Sequence, residues 1–257
     1  MSGIDAVILA GSTNAGRLRN CSKEAFEAMV EIEKKPMVSY VFDVLKKSKS
    51  INRIVLAGPH EQMSRLFGNI DQVYIAPGGD TPIDSLMNAL EVLKPQGNVL
   101  VATCDIPLLT IDSVADFLKR CSKRQADVYY PVIPKDVNDR LYPGVKRTYI
   151  RFKDGTFTGG NLFLINPKVV KGAADKARAF VEKRKSPIGL AKLVGWRFLV
   201  KFLLRLVTLK ETEERVSRIF GIKGAVIISP FPEVGIDVDK PSDLALVREK
   251  IAQRILL

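Results

Sequence analysis

The chain is 257 residues long, 46% hydrophobic and 26% charged, with a formal net charge of +12, a size and composition that suit one sizeable α/β domain of ordinary globular character. No apolar run reaches the roughly 18 residues of a membrane span, and no leader pattern opens the chain. The three cysteines, Cys21, Cys104 and Cys121, have neither disulfide-framework nor zinc spacing, so reduced thiols in the cytoplasm are expected; the single histidine, His60, excludes a multi-histidine metal site.

In chain order, "IDAVILAG" (4–11), "RIVLAG" (53–58), "QVYIA" (72–76) and "NVLVATC" (98–104) are short, β-branched runs bounded by turn residues. Between them, "PMVSYVFDVLKKS" (36–48), "HEQMSRLFG" (60–68) and "TPIDSLMNALEVLK" (81–94) carry apolar residues at helical spacing, and "TIDSVADFLKRC" (110–121) adds a fourth helix. Thr81 reads as an N-cap with Pro82 at the first helical position. Strands alternating with helices predict a Rossmann-like three-layer α/β/α fold, with a mixed, mostly parallel sheet and right-handed crossovers. After residue 127 the expected strands are 126–134, 144–152 and 161–167, then helices from about 168 to 220, a strand at 224–229, and a closing helix capped by Asp239 or Ser242. No repeat or low-complexity linker interrupts the chain, so residues 1–257 read as one domain with a basic helical insertion at about 168–223.

In such sheets ligands sit at the carboxyl ends of the strands. The first strand empties there into "GSTNAGRLRNCSK" (11–23). Gly11 and Gly16 allow main-chain N–H groups to approach phosphate oxygens, Arg17 offers a planar fork and Lys23 a point charge. The loop is neither a P-loop nor a dinucleotide fingerprint, and a solvated surface loop is its simpler reading. Asp105 follows the strand ending at Cys104 and suits Mg²⁺, which takes one or two carboxylates plus phosphate oxygens. Asp237 and Asp239 stand two apart on an extended segment, so alternation points both to one face; one could join Asp105 at a metal while the other caps the last helix.

These separated segments resemble the MobA-like nucleotidyltransferases. The likeness runs through "LAG", Gly16-Arg17 and Lys23, then "EAMVEIEKKPMVSYVFDVL", "GGDTPIDSLMNAL", "CDIPLLT" and "IDVDKPSDL", in the family's order over residues 4–123 and 224–250. The resemblance implies a nucleotide-binding fold like that of the glycosyltransferase-A enzymes, and transfer of a nucleotidyl group from an NTP, CTP or GTP, to a phosphorylated acceptor with release of pyrophosphate. By position it implies that Leu9, Ala10, Gly11, Ser12, Gly16, Arg17 and Lys23 hold the nucleotide, with Gly78, Gly79 and Ser85 on the base side. Lys23, Arg17 and Asp105 would be catalytic, and Asp105 and Asp237 would hold Mg²⁺. Ser12 stands where the family has a second glycine and Asp237 where its guanylyltransferases often have Asn, which leaves the nucleotide open.

The segment "GVKRTYIRFKDGTFTGGN" (144–161) offers Arg147, Arg151, Gly160 and Asn161 to an anionic acceptor, a phosphorylated small molecule or a lipid-linked one; an exposed hairpin is the alternative. The stretch 168–223 holds 15 Lys/Arg against 5 Asp/Glu, nearly all of the net charge. Within it, 195–209 reads as one apolar helix with Arg197, Lys201 and Arg205 in a stripe. It could pack on the domain, join two copies as a homodimer, or lie on the inner face of an anionic membrane. Nucleic acid is not expected, since the aromatics here form no open stacking platform. A glycosyltransferase of the same fold and a non-catalytic nucleotide-binding regulator are the competing functions; the former usually carries Asp-x-Asp at mid-chain, where this chain has Thr103 two residues before Asp105.

Overall fold

The computed structural model describes residues 3–183, 189 and 193–255; part of the basic insertion, 184–188 and 190–192, lies outside the described residues. The first half alternates as expected: β1 (Ile4–Leu9), a short hairpin of β2 (Glu31–Ile32) and β3 (Lys35–Pro36), α1 (Met37–Lys47), β4 (Ile51–Gly58), α2 (His60–Phe67), β5 (Val73–Pro77), α3 (Pro82–Leu93), β6 (Val99–Thr103) and α4 (Ile111–Cys121). The second half comprises β7 (Val128–Pro134), α5 (Lys135–Leu141), β8 (Ile150–Phe152), β9 (Gly155–Gly159), β10 (Leu162–Ile165), α6 (Pro167–Lys183), α7 (Trp196–Leu203), α8 (Leu209–Phe220), β11 (Gly224–Ile228) and α9 (Pro241–Ile255).

Nine of these strands form one sheet in the order β5-β4-β1-β6-β10-β7-β9-β8, with β11 on the other edge of β7. β5, β4, β1 and β6 are parallel, and β10 runs antiparallel between β6 and β7. β7 is shared: its first residues pair with β10, and Val132, Ile133 and Pro134 pair with β9. The β8–β9 hairpin therefore begins where β10 lets go, at the carboxyl end of β7.

The continuous apolar runs follow from burial on both faces of a parallel sheet. Ala6 and Ile8 of β1 face one core with Val41 and Leu45 of α1 and Val114 and Phe117 of α4, while Val7 faces a second with Leu86, Ala89 and Leu93 of α3. A third cluster sets the opening loop against the end of the chain: Leu18, buried between two exposed arginines, packs with Met37, Leu108, Ile236, Val238 and Leu244. Burying a leucine of that size stabilises by about 1.5–3 kcal/mol.

Thr81 caps α3 as expected, its side chain accepting from Asp84 N–H while the Asp84 carboxylate accepts from Thr81 N–H. Asp84 also accepts from Arg178 Nε at 2.8 Å, which ties α3 to α6 of the basic insertion.

Three sequence expectations are corrected. The helix expected over 195–209 ends at Leu203: Arg205 adopts φ 61° and turns the chain, so it leaves the Arg197–Lys201 stripe, and Thr208 caps the separate helix α8. The strand expected over 144–152 shrinks to Ile150–Phe152, because Arg147 turns to an ion pair with Asp237. Neither Asp239 nor Ser242 caps the last helix. α9 starts at Pro241, and Asp239 N–H donates to the Asp243 carboxylate at 3.2 Å.

Candidate functional site

The site forms where β1, β4, β5 and β6 end. Three glycines converge there: a Cβ on Gly58 would collide, 2.7 Å from Ala10 O, while one on Gly78 would only touch its neighbours, 3.5 Å from Gly58 Cα and 3.7 Å from Gly11 Cα. Main-chain bonds lock the approach, with Ala10 N–H donating to Ala57 O (2.7 Å) and Gly78 N–H to Gly58 O (3.1 Å). Ser85, buried in the first turn of α3, accepts Gly79 N–H at 2.9 Å, and its Oγ would lie 3.4 Å from a Cβ on Gly11. The structure thus brings together Leu9, Ala10 and Gly11 with Gly78, Gly79 and Ser85.

The opening loop is held by its own side chains. Asn14 is buried, and its Nδ2 donates to Ser22 O (3.2 Å) and Glu24 O (3.0 Å). Arg19 Nη1 reaches back to Lys23 O (2.8 Å) and Glu24 O (3.1 Å). Thr13 bridges to Phe26, and Glu27 N–H donates to Ser12 O at 3.0 Å. Ser12, Gly16, Arg17 and Lys23 all lie on the exposed side of this loop.

Across from it lies an acidic cluster. Asp105, Asp237 and Asp239 each offer a carboxylate oxygen, and these oxygens lie within 4.8 Å of one another. The alternation of buried Ile236 and Val238 with Asp237 and Asp239 turns both acids to one side. Asp239 thus belongs to the cluster and not to the helix cap. Backbone bonds set the spacing: Cys104 N–H to Leu9 O (3.1 Å), Val238 N–H to Asp105 O (2.9 Å), Thr103 N–H to Asn161 O (3.1 Å) and Asn161 N–H to Val234 O (2.7 Å). Gly160 admits this close packing, since a Cβ there would lie 2.9 Å from Pro131 Cγ and 3.1 Å from Val234 O.

The electrostatics are those of crowded anions. Burial, then the charge of Asp237, pushes the Asp105 carboxyl up to about 7, against the Thr103 hydroxyl that donates to it. Burial and Asp237 also raise Asp239. Glu27 is raised by burial and by Asp239 and Asp237, so it faces the cluster too. Sequence reasoning gave no role to Glu27, although it opens the family-like stretch "EAMVEIEKKPMVSYVFDVL"; it sits on a short 3-10 turn (Glu27–Met29). Arg147 pairs with Asp237 through Nη1, while its buried Nε has no hydrogen-bond partner among the described residues. One guanidinium leaves this anion cluster short of positive charge, and a set of carboxylate oxygens is the donor chemistry of a hard divalent cation such as Mg²⁺. The residues fit that ion, with Asp105, Asp237 and Asp239 as the groups that could hold it.

Among the described residues Arg17, Lys23 and Arg151 make no hydrogen bond or ion pair with either half of the site; Arg151 lies exposed on the edge strand β8.

Comparison with known proteins places this arrangement. The glycine-lined crevice and the acidic cluster lie at the carboxyl ends of the sheet's strands, where ligands bind in folds of this kind. The chain belongs to the MobA-like NTP transferase domain family, whose profile matches residues 6–184. It is similar to a hypothetical transferase from Thermus thermophilus, at 37% identity and a TM-score of 0.81 over 94% of this chain and 99% of that one. Two more distant structures share the fold: CMP:2-keto-3-deoxy-manno-octonic acid synthetase complexed with CTP (12% identity, TM-score 0.62, 98% and 100% of the two chains) and the 4-diphosphocytidyl-2C-methyl-D-erythritol synthase of Anaerococcus prevotii (12%, 0.60, 97% and 96%). No curated protein matches the chain.

Proposed function

We propose that the protein transfers a nucleoside monophosphate from an NTP to the phosphate of an acceptor, releasing pyrophosphate, in a Mg²⁺-dependent reaction within one domain. The observation that carries this reading is the meeting of an oxygen-rich acidic cluster with a glycine-lined crevice at the ends of β1 and β6. Gly11, Ser12 and Gly16 would present the loop backbone to the triphosphate, with Leu9 and Ala10 at its root, and Gly78, Gly79 and Ser85 would border the base. Arg17 and Lys23, on the open side of the loop, would neutralise the charge that spreads over the phosphates in the transition state. Asp105, Asp237 and Asp239 would hold Mg²⁺, which when bound screens the triphosphate and polarises its oxygens.

An acceptor phosphate oxygen attacks the α-phosphorus, the bond to the bridging β-phosphate oxygen breaks, and pyrophosphate departs. The attacking oxygen is already ionised at neutral pH, so no side chain need remove a proton. That suits a chain whose one histidine, His60, lies on α2. Placement is then the main task of the protein, and Arg147, Arg151, Gly160 and Asn161 would serve the acceptor side. CTP and GTP are the favoured donors, and the cytidylyl enzymes that share the fold put CTP first.

The test is a pyrophosphate-release screen of each NTP against phosphorylated acceptors, run beside a panel of nucleotide-sugars. Pyrophosphate from one NTP with one acceptor, lost in Asp105→Asn, is the expected result. Glycosyl transfer from a nucleotide-sugar without pyrophosphate would replace this reading with a glycosyltransferase.

A further inference from the structure

The transfer reaction leaves one part of the molecule unused. α7 and the turn after it carry the most exposed large apolar side chains among the described residues: Trp196 is 70% exposed, Leu203 69%, Leu204 63% and Leu206 54%. Trp196 and Leu203 are seven apart on one helix and so share a face. Exposed basic residues, Arg197, Lys201 and Arg205, lie among them, Lys201 paired with Glu211 at 3.2 Å and the two arginines turned to solvent. Residues 183–210 contain eight Lys/Arg and no Asp or Glu. A contiguous apolar patch on a monomer marks a surface that meets a partner.

We propose that α7 and its following turn dock on a membrane whose surface carries anionic phospholipids. Charge and shape select this occupant. An amphipathic helix with leucines and a tryptophan on one side and basic residues beside them lies in the interface of such a bilayer, its apolar side chains below the headgroups and its cations among the phosphates. A second copy of the chain meets it poorly, because a two-fold pairing would bring two identical basic patches, each with Arg197, Lys201 and Arg205, together in a chain of net charge +12. Nucleic acid would use the cations but not the leucines, and a single exposed tryptophan makes no stacking platform. None of the described helices is long and apolar enough to cross a membrane, so the contact is peripheral.

The patch is fastened to the rim of the site. Phe202 packs edge-on against Phe152 of β8 at 6.0 Å, Lys153 N–H donates to Val207 O at 2.9 Å, and Leu209 N–H donates to the Asp154 carboxylate at 2.6 Å. The tip of the β8–β9 hairpin is thus bound to the leucine turn, while the irregular segment leading into β8 carries Arg147, which pairs with Asp237. Docking would hold the acceptor side of the site beside the membrane surface whatever the acceptor is.

Trp196 is the chain's one tryptophan, so its fluorescence reports the contact directly. The full chain is mixed with vesicles of phosphatidylcholine alone, or of phosphatidylcholine with phosphatidylglycerol, and both emission and co-sedimentation are followed at low and high salt. The expected result is a blue shift and sedimentation with the anionic vesicles only, weakened by salt. Leu203→Glu/Leu204→Glu and, separately, Arg197→Glu/Arg205→Glu should each lower partitioning by roughly tenfold or more, with unchanged circular dichroism and thermal melting. Equal binding to neutral vesicles, no binding at low salt, or folded variants that bind like the parent would each overturn the proposal. So would self-association, or duplex DNA binding, that the leucine variant abolishes while vesicle binding stays intact.

Discussion

Asp105 shows how the site works at the scale of one residue. Its carboxyl sits among Asp237, Asp239 and Glu27, and with no cation bound that crowding opposes folding. Asp105→Asn keeps the shape and the partner of the Thr103 hydroxyl while removing one charge. The apo variant should therefore melt higher than the parent, by about 2–4 °C for each 1 kcal/mol of repulsion relieved, yet lose nucleotide turnover. A melting curve and a turnover assay on the same sample check both halves, and a variant that melts lower without metal would contradict the crowded-anion picture. Cysteine chemistry gives a second residue-scale expectation. Cys21 is exposed, whereas Cys104 and Cys121 are buried, and burial pushes the Cys121 thiol up to about 12. Iodoacetamide at neutral pH should add one label to the native protein and three to the unfolded one, as counted by mass spectrometry. The carboxylates were legible in the sequence where strand periodicity placed them: Asp105 at a strand end, Asp237 and Asp239 by alternation. Glu27 was not, because its approach depends on the Thr13–Phe26 bridge, a contact between two irregular segments.

Among the elements, caps and close approaches are the local rules that position the crevice. Thr81→Ala removes one half of the α3 capping box and should cost about 1 kcal/mol in urea denaturation. Gly58→Ala should cost more, about 1–3 kcal/mol, because its methyl meets Ala10 O at 2.7 Å and the backbones of β1 and β4 must separate. The same displacement moves Gly11 from Gly78, so Gly58→Ala should weaken nucleotide binding in a titration while Thr81→Ala weakens it less. Helices with strong periodicity and a capping residue, such as 82–93 and 111–121, were readable to within a residue or so. The break after Leu203 was not, since neither Gly nor Pro marks it and a non-glycine residue, Arg205, takes the left-handed turn. The strand read over 144–152 failed for a different reason: Arg147 pairs with the distant Asp237, a contact that local alternation does not announce.

At the scale of the whole molecule, the alternation of strand and helix conveyed the layered fold, while strand order needed the structure. The insertion of antiparallel β10 between β6 and β7, and the sharing of β7 between β10 and β9, arise from contacts far apart in sequence. That topology brings Asn161, at the start of β10, beside Thr103 at the end of β6, and delivers the last segment of the chain, with Asp237 and Asp239, to Asp105. The acidic cluster is therefore a product of the fold as much as of its motifs. The central claim is that this cluster and the opening loop together bind a nucleoside triphosphate with a divalent ion. A thermal-shift panel of ATP, CTP, GTP, UTP and dTTP, with and without Mg²⁺, on the parent, Lys23→Ala and Asp105→Asn, tests it most directly. One NTP should stabilise the parent by roughly 2.7 kcal/mol at a hundredfold excess over Kd, only with Mg²⁺ and less in both variants. No shift with any NTP at saturation, or a shift that neither Mg²⁺ nor either substitution changes, would contradict it.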